Sequence, residues 1–229
     1  MTRKMTAPSP SHYIVAIDGV SGSGKSTTAR TVAQELGILH LDTGAMYRAV
    51  TYLALQKNLT PLQEAEVAAM AAGLDLEVDA EGNLQVNGED MHRQIRSAQV
   101  SARVSDFGRI GAMREVLVKA QRRIGLRQPA VVEGRDIGTV VFPEARFKFF
   151  MSASPEVRAR RRVQQMESMG LPVDYPEVLK NLSERDAKDS GRAHSPLAKA
   201  PDAIEIDTSN LTFERQVAII VSHVLKNRP

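Results

Sequence analysis

The chain has 229 residues, of which 42% are hydrophobic and 25% charged, and these proportions are ordinary for a globular protein with one sizeable core. It contains no cysteine, which excludes disulfides, thiolate metal sites and cysteine nucleophiles and fits the cytoplasmic location that we expect. The formal charge of +3 gives little support for nucleic-acid binding. No apolar run approaches the ~20 residues that span a bilayer, and residues 1–12 lack the apolar core of a signal peptide. We therefore expect no membrane contact and a flexible tail at residues 1–12.

A glycine-rich stretch joins the first predicted strand to the first predicted helix. Residues 13–18 form a run typical of a strand in a parallel sheet that is covered on both faces. Residues 26–36 have helical spacing, with Gly37 placed to end the helix. The sequence between them reads G-x-x-x-x-G-K-S, which predicts a phosphate-binding P-loop. Its residues are Gly19, Val20, Ser21, Gly22, Ser23, Gly24, Lys25, Ser26 and Thr27.

The residue types of this loop match the chemistry of a bound nucleoside triphosphate. Glycines let the main chain approach a phosphate closely, and the backbone N–H groups at the start of the following helix favour an anion. Lys25 supplies a positive charge for the β- and γ-phosphates. The Ser26 hydroxyl is a candidate ligand for Mg²⁺, a cation that prefers oxygen. The loop therefore predicts ATP and Mg²⁺ as cofactors.

The rest of the chain alternates predicted strands and helices, which indicates an α/β fold with a parallel sheet flanked on both faces. Further strands are predicted at 38–41, 130–133, 146–151 and 203–206. Helices are predicted at 48–55, 62–72, from 97 onward, at 110–124, from 155 onward, at 177–190 and at 213–226. Alternating patterns at 74–78 and 84–86, followed by Asn87-Gly88, predict an antiparallel hairpin inserted into this order.

Charged side chains follow several of the predicted strands and recur on two helices. Arg135 and Asp136 stand between glycines at a strand end, where ligands of open α/β sheets bind. Four arginines occur within 158–162, and 185–192 carries Arg, Asp and Arg at helical spacing. Surface ion pairs, helix caps and an Arg114 that snorkels to the surface are the structural alternatives. An acceptor that is itself a phosphate would need such arginines, because guanidinium groups bind phosphate with two parallel hydrogen bonds.

Four segments together resemble the bacterial cytidylate kinases: residues 19–27, 41–48, 133–143 and 184–192. The resemblance extends from residue 13 over nearly the whole chain. It implies a P-loop nucleoside-monophosphate-kinase fold, with a five-stranded parallel sheet, a small antiparallel insert and a helical lid. It also implies transfer of the γ-phosphate of ATP to CMP or dCMP, giving CDP or dCDP and ADP, by a monomer that binds no nucleic acid.

The resemblance also implies roles for individual residues. Cytosine would contact Ser105, Arg114 and Asp136, and the acceptor phosphate would contact Arg48, Arg135 and Arg192. Arg185 and Asp189 would contact the sugar. Thr43 would also belong to the substrate-binding site. Catalysis would rest on Lys25, Arg135 and the lid arginines Arg158 and Arg162, which share a helical face and would approach the transferring phosphate or the adenine.

The resemblance implies one kinase domain at 13–229. We expect a P-loop core at 13–60, a monophosphate-binding region with the hairpin insert at 61–104, further core at 105–153, a lid at 154–195 and core at 196–229.

The chemistry of Asp136 agrees with a cytosine ligand. An ionised carboxylate only accepts hydrogen bonds, so it suits the amino group of cytosine and disfavours the carbonyl of uracil. We therefore expect CMP to be preferred over UMP. Two alternatives stay open at this stage: a kinase for UMP, AMP or shikimate, and a P-loop regulatory protein that holds nucleic acid through residues 158–162.

Overall fold

The computed structural model describes residues 12–79, 81–168, 170 and 172–228. The predicted tail therefore lies outside the described residues, apart from His12. The strands are β1 (Ile14–Gly19), β2 (Leu39–Asp42), β3 (Leu76–Val78), β4 (Leu84–Val86), β5 (Glu89–Asp90), β6 (Ala130–Gly134), β7 (Phe147–Ser152) and β8 (Ile204–Asp207). The helices are α1 (Lys25–Leu36), α2 (Thr43–Gln56), α3 (Glu64–Ala72), α4 (Ala98–Phe107), α5 (Gly111–Gly125), α6 (Pro155–Ser168), α7 (Tyr175–Ser190) and α8 (Phe213–Asn227). Two short turns, a 3₁₀ turn at Gln94–Arg96 and a wide π-type turn at Ile137–Val141, complete the order.

The main sheet has five parallel strands in the order β2-β6-β1-β7-β8. Parallel strands align their carboxyl ends, so β1, β2 and β6 deliver the P-loop, α2 and the Arg135-Asp136 turn to one edge of the sheet. This arrangement confirms the predicted α/β fold class. It also explains why Thr43 and Glu133, which are 90 positions apart in the sequence, become neighbours.

Two apolar cores lie on opposite faces of the sheet. Along β1, Ile14 and Ala16 belong to the core beneath α2, α3 and α5, whereas Val15 and Ile17 belong to the core beneath α1 and α8. All four side chains are at most 5% exposed. Full burial of a valine or isoleucine side chain stabilises a fold by about 1.5–3 kcal/mol. A third, small apolar cluster joins α6 to α7.

The start of α2 differs most from the sequence prediction. Helix α2 begins at Thr43 rather than at Arg48, because the Asp42 carboxylate accepts a hydrogen bond from the backbone N–H of Ala45 at 3.0 Å and caps the helix. Helix α3 begins at Glu64 rather than at residue 62. The earlier start of α2 matters for function because it fixes Thr43 and Arg48 on a rigid element.

The predicted hairpin is confirmed and has one more strand than expected. Strands β3 and β4 pair antiparallel, with Leu76 opposite Val86, and β5 pairs with β4. Asn87 and Gly88 both have positive φ, at 52° and 81°, as a two-residue hairpin turn requires. Leu76 and Val86 join the core beneath α2, α3 and α5, so the insert is packed onto the main body. Among the described residues, no helix combines the length and the apolar character needed to cross a membrane.

Candidate active site

The P-loop has the backbone geometry that phosphate binding requires. Gly19, Gly22 and Gly24 have φ values of 150°, 76° and 91°, a region that favours glycine. A Cβ atom at Gly19 would lie 2.0 Å from the carbonyl oxygen of Met151, so no other residue fits there. The loop then enters α1 at Lys25, with its backbone N–H groups at the helix start.

Lys25 is buried at 5% exposure, and its Nζ donates a hydrogen bond to the carbonyl oxygen of Val20 at 2.8 Å. Burial, followed by the positive charge of Arg135, lowers the pKa of Lys25 to about 7. Arg185 acts in the same direction. An anion beside Lys25 would raise this pKa again, so a bound phosphate would stabilise the charged ammonium group.

Glu133 holds the hydroxyl of Ser26. The Ser26 Oγ donates to Glu133 Oε2 at 2.7 Å, and His40 Nε2 lies 3.1 Å from Glu133 Oε1. Burial opposes ionisation of Glu133, but the hydrogen bond from His40 and the charges of His40 and Lys25 outweigh it and hold its pKa below the usual range. Burial and the charge of Glu133 raise the pKa of the neighbouring Asp42. Sequence reasoning assigned roles to neither Glu133 nor His40.

Three arginines, Arg135, Arg185 and Arg192, surround the carboxylate of Asp189 near the P-loop. Asp189 is buried and accepts from Arg135 Nε at 3.1 Å and from the guanidinium of Arg192. Burial, then the charges of Arg135 and Arg48, lowers the pKa of Arg185 to about 9. One acidic side chain does not balance so many cations. The cluster therefore favours a ligand that carries several negative charges.

Three further predicted substrate residues lie on α2 and α4. Arg48 donates to Ser101 Oγ at 3.0 Å, and burial, opposed by Asp42, lowers its pKa. Thr43 is buried and donates its hydroxyl to the backbone oxygen of Glu133 at 2.7 Å, which ties the start of α2 to the end of β6. Ser105 is buried on α4, at 9% exposure.

Arg114 and Asp136, both predicted to contact a base, form a buried pair. Arg114 Nη2 donates to Asp136 Oδ2 at 2.5 Å, and the two side chains are 4% and 5% exposed. Arg114 Nη1 also donates to the Gly108 oxygen at 3.1 Å, and its guanidinium lies 5.0 Å from the centre of the Tyr47 ring. The alternative in which Arg114 snorkels to the surface is wrong, because these three contacts hold it inside.

The turn that carries Asp136 is fixed by a residue that the sequence analysis overlooked. Asp18, at the end of β1, accepts hydrogen bonds from the backbone N–H groups of Ile137 and Gly138 at 2.8 and 2.7 Å. Burial raises the pKa of Asp18 to about 6, against the opposing effect of these two hydrogen bonds. The sequence signal for this role is the position of Asp18, an acidic residue directly before the P-loop Gly19.

Helices α6 and α7 contact the P-loop through Arg158. Its Nη1 donates to the Ser21 oxygen at 3.0 Å and lies 2.6 Å from Asp186 Oδ2. Asp186 also accepts from the Ser21 N–H at 3.4 Å. Arg162, one turn along α6, is exposed and donates to Gln165 at 2.7 Å, and its charge helps to lower the pKa of Arg48. The two arginines share a helical face, but only Arg158 touches the loop.

A cavity of about 260 Å³ opens beside the P-loop. Its wall consists of Gly24, Thr27, Arg161, Leu211, Phe213 and Gln216. Arg161 is fixed there by hydrogen bonds from Nη2 to the Thr208 oxygen at 2.6 Å and from Nη1 to Thr208 Oγ1 at 3.0 Å. Sequence reasoning singled out Arg158 and Arg162 and missed Arg161, because only the rotation of α6 shows which arginine faces this cavity.

A P-loop next to an arginine-rich cluster on the same edge of a parallel sheet defines a P-loop kinase. A family model described as "Cytidylate kinase" matches residues 15–226. A cytidylate kinase from Pelotomaculum thermopropionicum is 46% identical over 218 residues, covering 93% of this chain and 96% of the relative. One from Caldanaerobacter subterraneus is 45% identical over 213 residues, covering 93% and 95%. The chain therefore belongs to the cytidylate kinase family.

A solved structure supports the fold. An uncharacterized protein from Eubacterium ventriosum aligns with a TM-score of 0.51 over 94% of this chain and 99% of its own, at 14% sequence identity. At that identity the likeness concerns the fold alone.

Proposed function

We propose that this protein transfers the γ-phosphate of ATP to CMP or dCMP and releases ADP and CDP or dCDP. The observation that carries the proposal is the electrostatic coupling between the P-loop Lys25 and the arginines around Asp189. Arg135 and Arg185 lower the pKa of the P-loop Lys25, while the same two arginines belong to the cluster around Asp189. One phosphate on the P-loop and one on the arginine cluster would therefore lie side by side, as phosphoryl transfer between two nucleotides requires.

On the donor side, residues 19–27 bind the phosphates of ATP, and the cavity of about 260 Å³ beside Gly24 receives the adenine against Arg161. The chain fits Mg²⁺ as a partner of the nucleotide rather than as a resident ion. Within the described ranges, no group of three or more His, Asp or Glu side chains forms a metal cluster. Magnesium keeps several waters and binds substrate phosphates with few protein ligands, so the Ser26 hydroxyl suffices. When bound, it neutralises charge on the phosphates.

On the acceptor side, the arginine cluster holds the monophosphate. We assign the acceptor phosphate to Arg48, Arg135 and Arg192 and the sugar to Arg185 and Asp189. Lys25, Arg135, Arg158 and Arg162 would neutralise the charge that develops on the transferring group. These cations are held by hydrogen bonds before the ligand arrives, which lowers the reorganisation that catalysis would otherwise require.

We assign the cytosine ring to Ser105, Arg114 and Asp136, with Thr43 beside the acceptor. The hydrogen bond from Arg114 orients the carboxylate of Asp136. An ionised Asp136 accepts from the amino group of cytosine, whereas it would face the carbonyl oxygen of uracil. This chemistry supports a preference for CMP and dCMP over UMP.

The proposed organisation follows the boundaries predicted from the sequence. It comprises a core at 13–60, 105–153 and 196–229, a monophosphate-binding region at 61–104 and a lid at 154–195. Closure of the lid over the P-loop would exclude water and limit hydrolysis of ATP. We further propose a cytoplasmic monomer whose partners are the nucleotides ATP, CMP and dCMP and no nucleic acid.

A coupled assay of ADP release tests the proposed activity. ATP and Mg²⁺ are supplied with CMP, dCMP, UMP, AMP or shikimate, and Lys25→Met serves as the inactive control. We expect CMP and dCMP to accelerate ADP release strongly and the other acceptors weakly. If none of the monophosphates accelerates ADP release above the Lys25→Met background, the proposed function is wrong and a P-loop binding protein takes its place.

A further inference from the structure

His40 belongs to a buried chain of hydrogen bonds that ends at the phosphate site. Its Nε2 lies 3.1 Å from Glu133 Oε1, and Glu133 Oε2 accepts from Ser26 Oγ at 2.7 Å. The side chains of His40 and Glu133 are 5% and 3% exposed. An ionised carboxylate only accepts hydrogen bonds, which assigns a proton to Nε2 of His40. The imidazole is thus a donor that fixes one oxygen of Glu133 while the other oxygen serves Ser26.

This arrangement determines where the lone pairs of Ser26 point. A serine hydroxyl has one proton and two lone pairs. Because Glu133 takes the proton, the lone pairs of Oγ are directed away from Glu133 and are free to face a cation on the nucleotide phosphates. A rotation of the Glu133 carboxylate would let the hydroxyl turn and remove that orientation. The hydrogen bond from His40 to the other carboxylate oxygen opposes this rotation.

The inserted hairpin covers His40 from the other side. A Cβ atom built on Gly82 would lie 3.2 Å from both the Cβ and the carbonyl oxygen of His40, so the loop backbone packs directly on this residue. The loop itself is fixed by Asp79, whose Oδ1 accepts from the Asn83 N–H at 2.7 Å. Among the described residues, Nδ1 of His40 has no hydrogen-bond partner. Within the part of the chain that the structure describes, the ring therefore makes its one hydrogen bond to Glu133.

We propose that His40 is a positioning residue for phosphoryl transfer, which holds Glu133 so that Ser26 presents its oxygen to the magnesium–nucleotide complex. The inference rests on the proposed function, because it assumes that the P-loop binds a magnesium–nucleotide complex. It adds a residue of β2, covered by the insert, to the machinery of the donor site. It also gives the insert a second role, since its loop packs on His40 at Gly82 and helps to hold the residue in place.

The test exploits the difference between two amide side chains. Glutamine places its donor nitrogen near the position of Nε2 of histidine, whereas asparagine is too short to reach Glu133. The probe is ADP, titrated by calorimetry with Mg²⁺ and again with EDTA. We expect His40→Asn to weaken the effect of Mg²⁺ on ADP affinity about tenfold, which is the magnitude of one lost hydrogen bond to a charged group. In EDTA, its ADP affinity should stay within about twofold of the wild-type value. We expect His40→Gln to retain most of the effect.

Two controls separate positioning from a loss of stability. Val131→Ala removes a buried side chain on the strand residue paired with His40, and we expect it to lower Tm without changing the effect of Mg²⁺. In the kinase assay, His40→Asn should lower kcat about tenfold with the KM for CMP within about threefold. Glu133→Gln, which removes the charge that holds Ser26, should reproduce the lost Mg²⁺ effect and decides the question if His40→Asn does not fold.

Three outcomes would overturn the proposal. The effect of Mg²⁺ on ADP affinity could be the same in His40→Asn, His40→Gln and the wild type, or Val131→Ala could lose as much of it as His40→Asn does. The third is a Glu133→Gln variant that keeps the wild-type effect of Mg²⁺. ADP binding involves no acceptor nucleotide. The calorimetric result therefore stands apart from the proposed function, which fails only if no monophosphate accelerates ADP release.

Discussion

Replacing Arg114 by methionine should destabilise the protein far more than breaking an exposed ion pair. The side chains of Arg114 and Asp136 are 4% and 5% exposed, so the substitution leaves a buried carboxylate without its partner. Removing one member of such a pair typically costs about 3–5 kcal/mol in the free energy of unfolding. For a chain of this size, that corresponds to a fall in Tm of about 6–20 °C. Methionine keeps much of the side-chain volume, so the loss reports the charge rather than a cavity.

Urea denaturation of three variants measures this effect. Arg127→Met is the matched control, because Arg127 pairs with Glu77 on the surface, where the side chains are 49% and 32% exposed, and we expect a loss of at most about 1 kcal/mol. The double variant Arg114→Met, Asp136→Asn should recover part of the loss, since neither charge remains buried. A single Arg114→Met variant that loses no more than Arg127→Met, or a double variant no more stable than Arg114→Met alone, would refute the reasoning.

Three further predictions concern the donor side. Gly19→Ala should abolish folding or nucleotide binding, because the new Cβ would lie 2.0 Å from the carbonyl oxygen of Met151. Circular dichroism tests the folding and ADP titration tests the binding. A folded variant that binds ADP normally would contradict this prediction. Burial and neighbouring arginines lower the pKa of Lys25 to about 7 in the free protein, and a bound phosphate should raise it again. Near pH 8, ADP binding should therefore be accompanied by the uptake of a proton on Lys25. ADP affinity should fall as the pH rises above about 7. Calorimetry in buffers of different ionisation enthalpy measures the uptake, and no uptake would count against the assignment. Arg161→Ala should raise the KM for ATP and leave the KM for CMP unchanged, because Arg161 lines the cavity beside the P-loop; equal changes in both would argue against adenine in that cavity.

The fold could be predicted from the sequence because its signals are local. Strands of the main sheet are short apolar runs, and helix ends carry caps such as Ser154, whose hydroxyl accepts from the Val157 N–H at 3.3 Å. The start of α2 was predicted too late for an equally local reason. The carboxylate of Asp42 caps the helix at the N–H of Ala45, whereas the sequence prediction left the residues before Arg48 outside the helix.

The site could be predicted only where a motif names the residue. Lys25 and Asp136 stand in segments that resemble a known family, and the structure places both beside charged partners. The link between His40 and Glu133 joins residues 93 positions apart, and a histidine inside a short strand carries no pattern that predicts such a partner. The position of Arg161 likewise depends on the rotation of α6 against the rest of the chain, which helical spacing alone does not determine.

The central claim is that Asp136, held by Arg114, reads the amino group of cytosine in a kinase that phosphorylates CMP. The most direct measurement is the ratio of kcat/KM for CMP to kcat/KM for UMP, in the wild type and in Asp136→Asn. We predict a strong preference for CMP in the wild type and a fall of about 100-fold or more in the variant, because an asparagine amide can donate to the uracil carbonyl. A ratio that the substitution leaves unchanged would contradict the account.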